Sequence, residues 1–101
     1  MNETVKRFLR RLRSAPTSSQ PVEITLYSRP GCHLCDDARA LLRRLERRYP
    51  MRVTEVDITR DPALLRKYDI VIPVLELRGA HLEAPIREEA VIRALEARGQ
   101  E

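Results

Sequence analysis

The sequence is poor in aromatic residues, in cysteine and in long apolar runs. It has no tryptophan, one phenylalanine and three tyrosines, so aliphatic side chains must build most of the core. Proteins that bind nucleic acids usually combine stacking aromatics with a basic stripe. Here the net charge is only +4, and basic residues alternate with acidic ones along the chain. We therefore expect no nucleic-acid partner.

No apolar run is long enough to cross a bilayer, and the N-terminus has no continuous apolar segment like that of a secretory signal. We therefore expect a cytoplasmic protein with no membrane partner. Thiols are kept reduced in the cytosol, so the chain's two cysteines favour a catalytic or metal-binding role over a structural crosslink.

The chain has the size of one domain with an N-terminal extension. In residues 1–20, a basic segment with apolar residues at helical spacing is followed by a linker rich in serine and proline. We interpret this segment as a helix that packs on the domain or stays free in solution. A helix that binds a membrane surface or a partner is the alternative. Residues 21–101 then form the domain.

Within the domain, strand patterns alternate with helical ones. Strands are predicted over residues 22–27, 52–58, from Pro73 or just after it to 77, and 81–84. Helices are predicted from the cysteine pair until Pro50 stops the run, from Pro62 to Tyr68 with Asp61 as N-cap, and over 88–98. The first helix should bury one face, formed by Leu34, Ala38, Leu41, Leu42 and Leu45. The order predicts an α/β fold with one mixed four-stranded sheet and helices on both faces.

The two cysteines lie where the first strand gives way to the first helix, in the run Arg29-Pro30-Gly31-Cys32-His33-Leu34-Cys35. This spacing lets the sulfurs approach disulfide distance, with the first sulfur at the exposed helix N-terminus and the second drawn inward. We expect the helix dipole and its free N–H groups to lower the pKa of the Cys32 thiol moderately. Arg29 and protonated His33 add to this effect, and two aspartates after Cys35 oppose it. We predict that Cys32 is the nucleophile and that Cys35 resolves the mixed disulfide.

A Cys-x-x-Cys pair also occurs in metal sites. Structural zinc usually needs two such pairs or added histidines. Only His33 and His81 are available, and His33 lies between the cysteines. No metal site within one chain is predicted. A metal or iron–sulfur cluster shared between two chains, an inert cysteine pair and a non-catalytic binding module stay open as alternatives.

Two segments together carry a family resemblance: residues 26–35, at a strand-to-helix junction, and Ile72-Pro73-Val74-Leu75, which opens a hairpin. The chain resembles the glutaredoxin branch of the thioredoxin superfamily over residues 22–97. It is most similar to small bacterial glutaredoxin-like proteins with a Cys-His-Leu-Cys motif. The resemblance implies a thioredoxin-like fold and thiol–disulfide oxidoreductase activity. It also implies that Pro73 is cis, faces the cysteines and leaves the backbone of Ile72 free to pair with substrate.

The resemblance also sets expectations for ligands. It implies substrate-binding roles for Arg29, His33, Ile72 and Pro73. The substrate would be a disulfide-containing protein or a low-molecular-weight thiol, and a reductase or glutathione would donate electrons, with no bound cofactor. Glutaredoxins hold the glutathione carboxylate with a Gly-Gly stretch and an acidic residue, where this chain has Glu83-Ala84-Pro85-Ile86. This departure counts against a glutathione site. Thioredoxins carry a buried aspartate at the position of Leu26, so no such proton acceptor is predicted.

Overall fold

The computed structural model describes residues 20–97, which contain four strands and three α-helices. The elements are β1 (Val22–Ser28), α1 (His33–Leu45), β2 (Met51–Asp57), α2 (Pro62–Tyr68), β3 (Val74–Leu77), β4 (Ala80–Glu83) and α3 (Glu88–Glu96). A short 3-10 turn, Ile58–Arg60, leads from β2 to α2. Nearly all of the predicted N-terminal extension lies outside the described residues, as does the predicted end of the last helix at Arg98.

The four strands form one mixed sheet in the order β2-β1-β3-β4. β1 and β2 are parallel, while β1 with β3 and β3 with β4 are antiparallel. A parallel pair needs a crossover, and α1 supplies it. The predicted α/β fold with a mixed four-stranded sheet is confirmed. No helix within residues 20–97 has the length and apolar character needed to cross a membrane.

The sheet is covered unequally on its two faces. On one face, Ile24 and Leu26 of β1 join the main core with α1 and α3. On the other face, Tyr27 stacks on Tyr68 of α2 with ring centroids 4.6 Å apart. Alternation of side chains along β1 explains this division, because successive residues of a strand point to opposite faces. Helices therefore lie on both faces, as predicted.

The buried face of α1 differs from the prediction in its first turn. Ala38, Leu41, Leu42 and Leu45 are buried as expected, but Leu34 is 51% exposed. Cys35 takes the inward position and packs with Ile72 and Val74 at the margin of the sheet. The inward position of Cys35 is as predicted, whereas the placement of Leu34 on the buried face was wrong, because the segment before β3 packs on the side of Cys35.

Local signals set the remaining boundaries well. Asp61 caps α2 by accepting a hydrogen bond from the backbone N–H of Ala63 (2.9 Å), as predicted. β3 begins directly after Pro73, also as predicted. The hairpin turn has Arg78 and Gly79 both in the left-handed region, with φ of 47° and 80°. This pair of conformations is that of a two-residue type I′ turn, and β4 begins one residue earlier than the sequence indicates.

Candidate active site

Cys32 and Cys35 form a disulfide at the N-terminus of α1. Their Cα atoms are 5.2 Å apart, and the Cys32 sulfur accepts a hydrogen bond from the Cys35 backbone N–H (3.1 Å). Cys32 is the N-cap residue of the helix and is partly exposed, whereas Cys35 is fully buried. The first turn of a helix leaves N–H groups unpaired, and these stabilise a negative charge placed before them. Cys32 is therefore the sulfur that substrate can reach and that the helix can hold as a thiolate.

The disulfide rests on a small apolar cluster, separate from the main core. Its buried members are Cys35, Ile58, Tyr68, Ile72 and Val74, and Cys32 packs at its margin. The Ile72–Pro73 peptide bond is cis, and Pro73 is fully buried. The structure thus brings both cysteines and the Ile72–Pro73 segment to one end of the sheet.

The backbone of Ile72 is less free than the resemblance implies. Its N–H donates to the carbonyl oxygen of Tyr68 (3.1 Å), which also accepts from the N–H of Val71 (3.0 Å). These bonds form because the chain leaves α2 in a tight turn before it enters β3. The carbonyl oxygen of Ile72 is then the backbone group to which a substrate could donate.

The two predicted polar residues of the site lie on either side of Cys32. Arg29 donates to the Oδ1 atom of Asp69 (2.7 Å), and both side chains are about half exposed. This ion pair joins the loop before Cys32 to the loop after α2. His33 is exposed in the first turn of α1. The guanidinium of Arg29, for which a substrate-binding role was predicted, thus already has a carboxylate partner.

A charged network that the sequence did not reveal lies on the α1 face of the sheet. Ser28, which is buried at the end of β1, donates to Glu55 Oε2 (2.6 Å). Arg39, one helical turn after Cys35, donates through Nε to both carboxylate oxygens of Glu55 (2.9 Å each) and also pairs with Asp36. The hydrogen bond from Arg39 holds the pKa of Glu55 below its usual range, although partial burial opposes the shift.

The position of Glu55 is informative because it is the cross-strand partner of Leu26. Leu26, at the position where the thioredoxin resemblance would put a buried aspartate, is itself fully buried. The carboxylate thus lies on the adjacent strand. The strand register would have revealed this pairing, but the sequence alone does not fix which residues of β1 and β2 face each other.

A second polar cluster lies on the opposite face of the sheet. The hydroxyls of Tyr27 and Tyr68 both donate to the carboxylate of Glu76 (3.3 and 3.4 Å). His81 lies between Glu76 (3.2 Å) and Glu83 (3.0 Å), and these carboxylates raise its pKa, Glu83 more than Glu76. Burial is the main cause of the raised pKa of Tyr27. His81 therefore belongs to a network that reaches the apolar cluster through Tyr68.

Between residues 20 and 97, no three His, Cys, Asp or Glu side chains come together in a way that could hold a metal ion. Within this part of the chain, each cysteine has the other as its partner. The chemistry that the pair can perform is thiol–disulfide exchange at Cys32.

Residues 23–96 match the family model of the glutaredoxin-like domain DUF836. The chain belongs to this family. The glutaredoxin-like domain includes both cysteines and the Ile72–Pro73 segment, and the resemblance inferred from the sequence is confirmed.

Three solved structures are similar to this glutaredoxin-like chain. A protein from X. campestris, solved by X-ray crystallography, is 35% identical with a TM-score of 0.59, covering 70% of this chain and 96% of its own. A protein from Nitrosomonas europaea, solved by NMR, is 26% identical with a TM-score of 0.65, covering 73% and 91%. A malarial protein, 17% identical with a TM-score of 0.59 over 75% and 94% of the two chains, shares the fold alone.

Proposed function

We propose that this protein is a thiol–disulfide oxidoreductase that uses the Cys32–Cys35 dithiol to reduce or exchange disulfides in proteins or small molecules. The observation that carries the proposal is the disulfide at the N-terminus of α1, with Cys32 partly exposed and Cys35 fully buried. This asymmetry assigns the two sulfurs different steps, since only one of them can meet a substrate first.

The reaction begins from the reduced protein. The Cys32 thiolate attacks one sulfur of the substrate disulfide, which breaks the substrate S–S bond and releases one substrate thiolate, protonated by solvent. A mixed disulfide now joins Cys32 to the other half of the substrate. Cys35 gives up its proton and attacks the Cys32 sulfur, so the second half leaves as a thiol. The substrate gains two electrons, and the protein is left with the disulfide seen in the structure.

Several groups of the chain support these steps. The first-turn N–H groups of α1 stabilise the Cys32 thiolate, and protonated His33 in the same turn would add to this. Ile72 packs in the same cluster as the cysteines, and its carbonyl oxygen would accept a hydrogen bond from a bound peptide. Arg29 can meet a substrate carboxylate only in competition with Asp69.

A catalytic cycle also needs a donor that returns the protein to its dithiol form. We assign this role to a reductase or to a low-molecular-weight thiol such as glutathione. Both operate in the cytoplasm, where thiols are kept reduced, and the proposed reductive direction fits that compartment.

Titration of the purified protein in glutathione redox buffers, with mass spectrometry as readout, tests the dithiol mechanism. The protein should pass between a form with two free thiols and a form two hydrogens lighter, and dithiothreitol should restore the thiols. A glutathione adduct at intermediate ratios would identify glutathione as a donor. Persistence of both free thiols in oxidising buffer would overturn the mechanism.

Two matched serine variants test the separate roles of the cysteines. Cys32→Ser should abolish turnover, because the reachable nucleophile is gone. Cys35→Ser should instead accumulate a mixed disulfide through Cys32, because nothing resolves it. Mass spectrometry after incubation with a disulfide peptide distinguishes the two results. Trapping by Cys32→Ser rather than by Cys35→Ser would exchange the assigned roles.

A further inference from the structure

Large apolar side chains are exposed at three positions in the part of the chain that the structure describes. These are Leu34 (51%), Val53 (41%) and Ile70 (93%). Val53 lies in the edge strand β2, opposite Ile24 and away from the disulfide. The other two belong to the segments that meet at the cysteine pair, so apolar exposure is concentrated around the proposed active site.

Leu34 and Ile70 reach the site from different parts of the fold. Leu34 lies between the two cysteines and faces away from the core, because Cys35 takes the inward position of that turn. Ile70 lies two residues before Ile72, which packs in the same cluster as Cys35. The ion pair between Arg29 and Asp69 holds the loop that carries Ile70 against the loop that precedes Cys32. We call Leu34 and Ile70 the apolar rim of the site.

The charges next to the rim disfavour a small anionic ligand. The guanidinium of Arg29 is bound by Asp69, and in the first turns of α1 the carboxylate of Asp36 pairs with Arg39 while that of Asp37 is exposed. Glutathione, whose two carboxylates outweigh its one ammonium, would therefore meet a cation that already has a carboxylate partner and a nearby anion. A peptide segment with uncharged apolar side chains meets no such cost and covers the exposed rim instead.

We propose that the preferred substrate is a polypeptide disulfide flanked by a large apolar side chain, which docks on Leu34 and Ile70 while its sulfur meets Cys32. This inference rests on the proposed oxidoreductase function and deepens it by naming the substrate class. Selection by the rim acts on the substrate side chains beside the disulfide and leaves the exchange chemistry unchanged.

Kinetics with two disulfide peptides test the rim. The peptides are identical except that the residue next to the cysteine is leucine in one and serine in the other. The wild-type protein should reduce the leucine peptide with a kcat/KM higher by at least about tenfold, the scale typical of apolar side-chain discrimination. Leu34→Ser and Ile70→Ser should each lower the ratio of kcat/KM for the leucine peptide to kcat/KM for the serine peptide. This ratio compares two substrates within one variant, so it does not depend on the amount of active protein. Val53→Ser, the matched control, should keep the wild-type ratio.

Hydroxyethyl disulfide, a small neutral substrate, distinguishes failure of the apolar rim from failure of the oxidoreductase function. If the wild-type protein reduces it but treats both peptides alike, the rim proposal is overturned and the oxidoreductase function stands. Equal loss of the ratio in Val53→Ser would also overturn the rim. If the wild-type protein reduces none of the three disulfides, the proposed function fails, and the substrate inference fails with it.

Discussion

Arg29 and Asp69 show how a single ion pair can influence which ligands a site accepts. Arg29 lies at the position where the glutaredoxin resemblance places a basic substrate-binding residue, yet its Nη1 atom is 2.7 Å from Asp69. Both side chains are about half exposed, so the pair contributes only about 0–1 kcal/mol to stability. A substrate carboxylate that binds Arg29 must first displace Asp69. The same contact orders the loop that carries Ile70.

Neutralising Asp69 should therefore release Arg29 for an anionic ligand. Asp69→Asn is expected to raise kcat/KM for a glutathione mixed disulfide by up to about fivefold, the equivalent of the 1 kcal/mol upper limit for an exposed pair. Steady-state kinetics with that substrate, in parallel with a neutral disulfide, measures the effect. Asp61→Asn is the matched control, because it removes the same charge from the opposite end of α2 while asparagine still caps the helix.

An unchanged kcat/KM for the glutathione mixed disulfide in Asp69→Asn would show that Arg29 takes no part in binding it.

The contact between Arg29 and Asp69 could not be predicted, since the two residues are separated by 40 positions in the sequence. The same is true of Glu55, whose contacts depend on the register of β2 and on Arg39 of α1. The cysteine pair was predictable because its spacing and its place at a helix start are local properties.

At the scale of elements, α1 has two distinct parts. Its first turn carries the chemistry, with Cys32 as N-cap and Leu34 exposed, and its later turns carry core residues such as Leu42. The periodicity of the sequence predicted the helix and most of its buried face. It placed both Leu34 and Cys35 on the inner side of the helix, but only Cys35 is buried, because Ile72 from a distant segment packs in the cluster of Cys35 and not against Leu34.

Alanine variants at two positions of α1 should separate these parts. Leu42→Ala is expected to lower the free energy of unfolding by about 2–5 kcal/mol, because it leaves a cavity in the main core. Leu34→Ala should change it by no more than about 0.5 kcal/mol, as is usual at exposed positions. Urea denaturation of the oxidised protein gives both values. A large loss in Leu34→Ala would mean that Leu34 is buried, and the apolar rim would lose one of its two members.

The turn of the hairpin between β3 and β4 could be predicted only in part from the sequence. Gly79 correctly marked the turn, but Arg78 also adopts a positive φ of 47°, which arginine rarely does. With both residues in the turn, β4 starts at Ala80, one residue before the predicted start. The antiparallel register of the two strands sets this conformation, and the identity of residue 78 does not reveal it.

At the scale of the whole molecule, two charged networks lie on opposite faces of the sheet. The network of Glu55, Arg39 and Ser28 is on the side of α1, and the network of Glu76, His81 and Glu83 is on the side of α2. The first depends on an ionised carboxylate and the second is strengthened when His81 is protonated. Stability should therefore fall both when the pH is lowered, through the first network, and when the pH is raised, through the second.

The sign of each response follows from the direction of the pKa shift. The pKa of Glu55 is lowered in the folded protein, so its contribution is present above the usual value of 4.5 and is lost as pH falls through the lowered value. The pKa of His81 is raised, so its contribution is present below the usual value of 6.5 and is lost as pH rises through the raised value. Between about pH 4.5 and 6.5 both networks contribute in full.

Thermal unfolding from well below pH 4.5 to well above pH 6.5, compared with Glu55→Gln and His81→Gln, isolates each group from the other carboxylates. The difference in Tm between wild type and Glu55→Gln should be positive at neutral pH and shrink in acid, because the protonated carboxyl then resembles the amide. The difference between wild type and His81→Gln should be positive near pH 5.5 and shrink as pH rises, because neutral imidazole loses its ionic attraction to Glu76 and Glu83. The His81→Gln difference should stay below about 8 °C, since exposed ion pairs contribute at most about 1 kcal/mol. A His81→Gln difference that grew with pH would mean that the neutral imidazole is the form that the fold stabilises.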